Sequence, residues 1–131
     1  MPSVTGAHHM ALTVTDAKRS AAWYSELLGM QLLMSGDEDT VRFRVLVHPE
    51  SGWMLGVREY TEGSSDRFDE LRTGLDHFAF GVPSREALDD WVRVLDANSV
   101  PHAGVSDTPV GSVVTFRDPD NIQLELWYSD V

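Results

Sequence analysis

From His9 to Val14 apolar and polar positions alternate with period two, the pattern of a half-buried strand. At Asp16 the rhythm changes. Ala22, Trp23, Leu27 and Leu28 follow at helical spacing, with Asp16 suited to the N-cap and Gly29 to the C-cap. The stretch His8–Gly29 therefore reads strand, short turn, helix. The same arrangement returns from Asp76: His77 falls on His9, Ala79 on Ala11, Val82 on Val14 and Ser84 on Asp16, each 68 residues on. Asn98 answers Gly29 at an offset of 69, so both helix ends carry a residue type that tolerates positive φ. Strand pattern, His, N-cap and C-cap agreeing at nearly one offset define an internal repeat.

Each copy continues in the same way. After the first helix, Met30–Met34 starts a strand, 35–40 (SGDEDT) is a turn, and Val41–Val47 is a strong β-branched strand. His48–Gly52 turns the chain into a strand over Trp53–Tyr60. A polar connection, Thr61–Gly74, holds at most a helical turn around Phe68 and Leu71. The second copy then predicts a weaker strand over Val100–Val105, a turn at Asp107–Gly111 and a strand over Ser112–Phe116. A turn at Arg117–Asn121 and a closing strand at Ile122–Tyr128 complete it. The predicted class is α+β: one domain of two βαβββ units, about 1–62 and 74–131, forming a curved mixed sheet around a cleft with the helices outside.

Composition narrows the function classes. A chain of 131 residues, 42% hydrophobic and 24% charged, can bury a core of its own. No run of 18 apolar residues predicts a membrane span, and the first residues, MPSVTGAHH, lack the basic and apolar regions of a secretion signal. The chain has no cysteine, which excludes disulfides and thiolate metal sites and agrees with an expected cytoplasmic location. A net charge of −11 argues against nucleic acid or anionic membrane as partner. A small molecule is the expected partner.

Period two also sorts the chemistry-bearing residues by face. In the closing strand Gln123, Glu125 and Trp127 share one face, and Ile122, Leu124 and Leu126 the other, which belongs against a helix. Likewise Phe78, Phe80 and Val82 face the helix and leave His77, Ala79 and Gly81 to the cleft; Leu12 and Val14 leave His9, Ala11 and Thr13. Arg58 shares the face of Gly56, and Glu59 points the other way. Arg58 is either a rim residue paired with a carboxylate or a group that holds an anionic oxygen of a substrate. Trp53, Gly56, Gln123 and Trp127 are expected to line the pocket. His8, His48 and His102 lie off the cleft face or in loops, and Trp23 and Trp91 belong to the helices.

The repeat, the His in each first strand and the ending DPDNIQLELWY resemble the vicinal oxygen chelate superfamily, which includes glyoxalase I, extradiol dioxygenases, and fosfomycin and bleomycin resistance proteins. The resemblance implies a divalent metal in the cleft on His9, His77 and Glu125, with the fourth ligand position falling on Gly56, which has no side chain to offer. Two imidazoles and a carboxylate suit iron(II) or manganese(II), and zinc also. The implied function is a small-molecule metalloenzyme chelating neighbouring oxygens of its substrate, closer to a dioxygenase or resistance transferase than to glyoxalase I. The alternative is a metal-free protein that sequesters a drug, as bleomycin resistance proteins do. A homodimer is expected in either case.

Overall fold

The structure is a computed structural model and describes residues 1–130. Two compact units divide the chain between Asp66 and Arg67. The first holds β1 (His9–Thr13), α1 (Ala17–Leu28), β2 (Gln31–Asp37), β3 (Val41–Val47) and β4 (Met54–Tyr60). The second holds β5 (Phe78–Gly81), α2 (Arg85–Ala97), β6 (His102–Thr108), β7 (Gly111–Arg117) and β8 (Gln123–Tyr128). Both follow the predicted βαβββ order, and the class is α+β.

Each unit has its own four-stranded mixed sheet, ordered β1-β4-β3-β2 in the first and β5-β8-β7-β6 in the second. The first and last strands of a unit pair in parallel, and the other neighbours are antiparallel. In the first unit α1 packs on β3 and β4, and Tyr24, Leu46 and Val57 between them are 0% exposed. In the second, Leu88 and Leu95 of α2 and Val114 of β7 are equally closed off, with Leu124 and Leu126 of β8 beside them. Burying each such side chain contributes about 1.5–3 kcal/mol. Only one face of each sheet is therefore covered by its helix, and polar residues of the strands are driven to the other.

Both N-caps form as predicted: Asp16 Oδ1 accepts from Arg19 N, and Ser84 Oγ from Ala87 N. Gly29 closes α1 in the left-handed region at φ 67°. Asn98 does not match it. Its φ is −98°, its side-chain amide donates to Val94 O, and the left-handed residue is Ser99 at φ 57°. The helix still ends at Ala97 with Asn98 as its cap, as predicted; Asn98 satisfies a terminal carbonyl with its own side chain and the left-handed turn falls one residue later. Three strands are longer than the sequence pattern predicts, β7 by one residue at each end. β2 continues through Ser35 and Gly36 to Asp37, because Gly36 pairs with Phe43 and the ring of Phe43 lies where a Cβ would stand, 2.4 Å away. β6 starts at His102 and continues through Asp107 and Thr108, leaving the turn at 109–110. The segment around Phe68 and Leu71 forms turns and bends, not a helix. It is tied down by Phe68, whose N–H donates to Asp120 O and whose carbonyl accepts from Asn121 Nδ2.

Candidate functional site

In β8 the neighbours Leu124 and Leu126 are each 1% exposed on the helix side, which forces Glu125 onto the helix-free face of the second unit's sheet. There it pairs across with Ala79 of β5 and Thr115 of β7 and is only 8% exposed. A carboxylate so enclosed needs donors, and it has them. Trp127 Nε1 donates to Oε1 at 2.7 Å, Gln123 Nε2 to Oε2 at 2.9 Å, and Thr115 Oγ1 stands 3.5 Å from Oε2. All three residues sit at the spacing that a shared sheet face dictates.

His77 lies one residue before β5, at its N-terminal end, and turns the same way. Its Nε2 is 3.4 Å from Glu125 Oε1, and its Nδ1 is 2.7 Å from Asp76 Oδ1. A carboxylate only accepts, so Asp76 places a proton on Nδ1 and aims Nε2 at Glu125. The Asp76 hydrogen bond, with the charge of Glu125 behind it, raises the imidazole pKa above the ordinary histidine value.

A second layer fixes Gln123. Its Oε1 accepts from Arg117 Nη2 at 3.1 Å, so its amide nitrogen must face Glu125. Arg117 in turn forks onto both oxygens of Glu70, at 3.0 and 3.1 Å. The Arg117 hydrogen bond holds the Glu70 carboxyl at about 2, well below its usual range, and Glu70 raises the guanidinium in return. The connecting segment thus anchors the back of the site.

In the first unit His9 opens β1 and is exposed, with its Nδ1 2.9 Å from Nδ1 of His8. The structure therefore brings His77 and Glu125 together in one unit and sets His9 in the other. Among the described residues, no group of three or more His, Asp or Glu stands as a closed metal cluster. Gly56 pairs with Ala11 in the register in which Glu125 pairs with Ala79, so it occupies the position of Glu125 in the repeat. Glu59 faces the helix, as its parity predicts, and its Oε1 accepts from Ala17 N at the start of α1. Arg58 lies on the helix-free face, its Nε donating to Tyr60 Oη at 2.8 Å and its guanidinium over the Phe43 ring. Trp53 immediately precedes β4 and is half-buried. His48 and His102 serve local structure: His48 Nδ1 meets Ser51 Oγ in a turn, and His102 bonds Asp96 and Gly104 N.

Sequence reading missed Asp76, Thr115, Arg117 and Glu70 as supports of the site. Asp76 was detectable as the carboxylate next to His77, and Thr115 once the β7–β8 register is known. Glu70 carries no local signal.

His77 and Glu125 are spaced so that they could hold one divalent ion between them. An imidazole nitrogen and a carboxylate oxygen bound to one ion at about 2.0–2.2 Å stand roughly 3.0–3.5 Å apart, and His77 and Glu125 are 3.4 Å apart. Their outer atoms carry the supporting hydrogen bonds that metal ligands commonly have. The profile of the Glyoxalase/Bleomycin resistance protein/Dioxygenase superfamily matches residues 6–126. The chain belongs to this superfamily. A probable lactoylglutathione lyase of Vibrio parahaemolyticus is 28% identical over 122 residues, 90% of this chain and 86% of that protein. The crystal structure of a glyoxylase/bleomycin resistance protein/dioxygenase domain from Frankia sp. EAN1pec is 38% identical, with a TM-score of 0.90 over 97% of this chain and 99% of that one. The fosfomycin resistance protein FosX of Listeria monocytogenes, in a complex with Mn(II) and 1S,2S-dihydroxypropylphosphonic acid, shares the fold at 19% identity and a TM-score of 0.72. That match covers 95% of this chain and 90% of that one. No helix among the described residues is long and apolar enough to cross a membrane.

Proposed function

We propose that this superfamily member is a small-molecule metalloenzyme whose divalent ion, iron(II) or manganese(II) with zinc also suited, is held by His9, His77 and Glu125. The observation that carries the reading is the approach of His77 Nε2 to Glu125 Oε1, 3.4 Å, with Asp76 fixing one partner and Trp127 and Gln123 the other. When bound, such an ion supplies Lewis-acid stabilisation to neighbouring oxygens of a substrate. The chain's own residues do the rest. Asp76 keeps the lone pair of His77 on Nε2, and Trp127 and Gln123 hold the carboxylate of Glu125 in one orientation. Trp127 offers apolar surface beside Glu125 to the body of a substrate.

Gly56 bears on the reaction type. Where the repeat puts a carboxylate in the second unit, the first unit has no side chain, so no fourth ligand and no base arises there. This supports dioxygenase-like or resistance-transferase-like chemistry over the glyoxalase I reaction. The test is metal content of protein purified without chelator or nickel affinity resin, beside His77→Ala and Glu125→Ala. Stoichiometric iron, manganese or zinc that disappears in both variants is expected. A protein that takes up no metal, even from iron(II) or manganese(II) added anaerobically, refutes the proposal and leaves the sequestering protein in its place.

A further inference from the structure

Arg58 stands out among the cations of this acidic chain, which has 10 Lys and Arg against 21 Asp and Glu. Arg42, Arg44, Arg85, Arg93 and Arg117 each pair with a carboxylate. Arg58 pairs with none among the described residues, although it is half-buried. The reason lies in the parity of the strands. Asp37 and Glu59 are used elsewhere, by Arg44 and by Ala17 N. The register puts Ala11, Thr13, Phe43, Val45, Gly56 and Tyr60 around Arg58 on the helix-free face, and none is acidic.

The guanidinium is nonetheless well held. Its Nε donates to Tyr60 Oη at 2.8 Å, and its central carbon lies 5.4 Å from the Phe43 ring centroid and 5.5 Å from that of Tyr60. Phe43 can lie where it does because position 36 is glycine: a Cβ there would be 2.4 Å from the ring. The aromatic contacts, worth most when partly desolvated, and the Nε bond to Tyr60 hold the guanidinium and leave its Nη groups for a ligand. Tyr60 adds a second donor. Its oxygen accepts from Nε, so its hydroxyl hydrogen is left to donate, and the residue is 42% exposed.

We propose that Arg58 and Tyr60 form a carboxylate-binding subsite on the first unit, in which the Nη edge grips the two oxygens of a flat anion and the Tyr60 hydroxyl donates to one of them. Phe43 and Gly36 are the positioning residues that hold it. The subsite recognises a small organic acid with an apolar body, which the neighbouring Val45, Ala11 and Gly56 surface can take. It requires no metal and stands apart from the reading of His77 and Glu125.

The experiment is a titration of the chelator-treated, metal-free protein, following the Arg58 Nε–Hε resonance by NMR. The probes are benzoate, its neutral analogue benzamide, and inorganic phosphate. Benzoate is expected to shift the resonance saturably and benzamide to leave it in place, with phosphate weaker than benzoate. By ligand-observed NMR, Arg58→Lys, which keeps the charge but not the fork, should weaken benzoate binding at least about tenfold, and Tyr60→Phe by a smaller factor. Arg58→Met should abolish it, and if that variant does not fold, the Lys and Phe variants decide. Benzamide binding as well as benzoate, phosphate binding more tightly, or benzoate binding unchanged in Arg58→Lys would each overturn the subsite. Because no metal is present, a negative result here leaves the metal reading untouched, and the reverse holds.

Discussion

Trp127→Phe is the most direct probe of how the second unit holds its carboxylate. The indole N–H donates to Glu125 Oε1 at 2.7 Å, and the acceptor is 8% exposed, so water cannot simply replace the donor. A hydrogen bond to a charged group contributes about 1.5–3 kcal/mol. Gln123 still serves the other oxygen, and the half-buried edge of residue 127 admits some water, which brings the expected loss to about 1–2 kcal/mol. Phenylalanine keeps most of the apolar contact. The assay is urea unfolding of metal-free protein followed by far-UV circular dichroism, where the midpoint should fall with an unchanged slope. A Glu125→Leu background supplies the control. There the indole N–H is stranded against an apolar side chain, so removing it should cost nothing or stabilise slightly. A loss below about 0.5 kcal/mol in the native background, or the same loss in both, would mean that the hydrogen bond is not what places Glu125.

Four other substitutions test the same geometry. Glu70 has its pKa lowered to about 2 from 4.5 by Arg117, so the stability it contributes is present above about 4.5 and is lost as pH falls towards 2. Acid titration of wild type against Glu70→Gln should therefore show a gap that closes across that window, and a gap independent of pH would contradict the assignment. Gly111→Ala should destabilise by about 2 kcal/mol or more, since φ is 145° and the new Cβ would lie 2.2 Å from Tyr128 O. Gly81→Ala, with nothing within 4 Å of its Cβ, should melt within a degree or two of wild type in the same calorimetric scan. Gly56→Glu should fold, since its Cβ would meet Ala11 Cβ at an ordinary 3.4 Å, and should tighten manganese(II) binding measured by calorimetry. Unchanged affinity in a folded variant would show that position 56, though the counterpart of Glu125 in the register, does not serve a metal.

Most of the frame was legible because it is written in local rules. Asp16 and Ser84 cap their helices, β3 spans Val41–Val47 as its β-branched run predicts, and the faces of Glu59 and Glu125 follow from parity alone. The failures have a common cause, which is that partners distant in sequence overrode a local signal. Ser35 and Gly36 look like a turn, but cross-strand pairing with Arg44 and Phe43 makes them strand. The supports of Glu125 were hidden for the same reason. Glu70 is 47 residues from Arg117, and nothing in the sequence joins them.

The register of the two sheets carries the comparison of the units one step further. Ala11 pairs with Gly56 and Thr13 with Arg58, while Ala79 pairs with Glu125 and Gly81 with Trp127. Glu125 and Trp127 therefore occupy the positions that Gly56 and Arg58 occupy in the other copy. In the second unit these places hold an anion and the donor that orients it. In the first they hold a gap and a cation without a carboxylate partner. One backbone frame has thus been loaded with opposite charge, which the two sheets tolerate because the helix-side positions between them, Val57 and Leu126, carry the packing. Exchanging the pair outright, Gly56→Glu with Arg58→Trp, should leave the first unit's core intact, since neither residue faces α1. Thermal unfolding close to that of wild type is the expected result. A collapse in melting temperature would show that Arg58 is held for stability, through Phe43 and Tyr60, and not for the ligand.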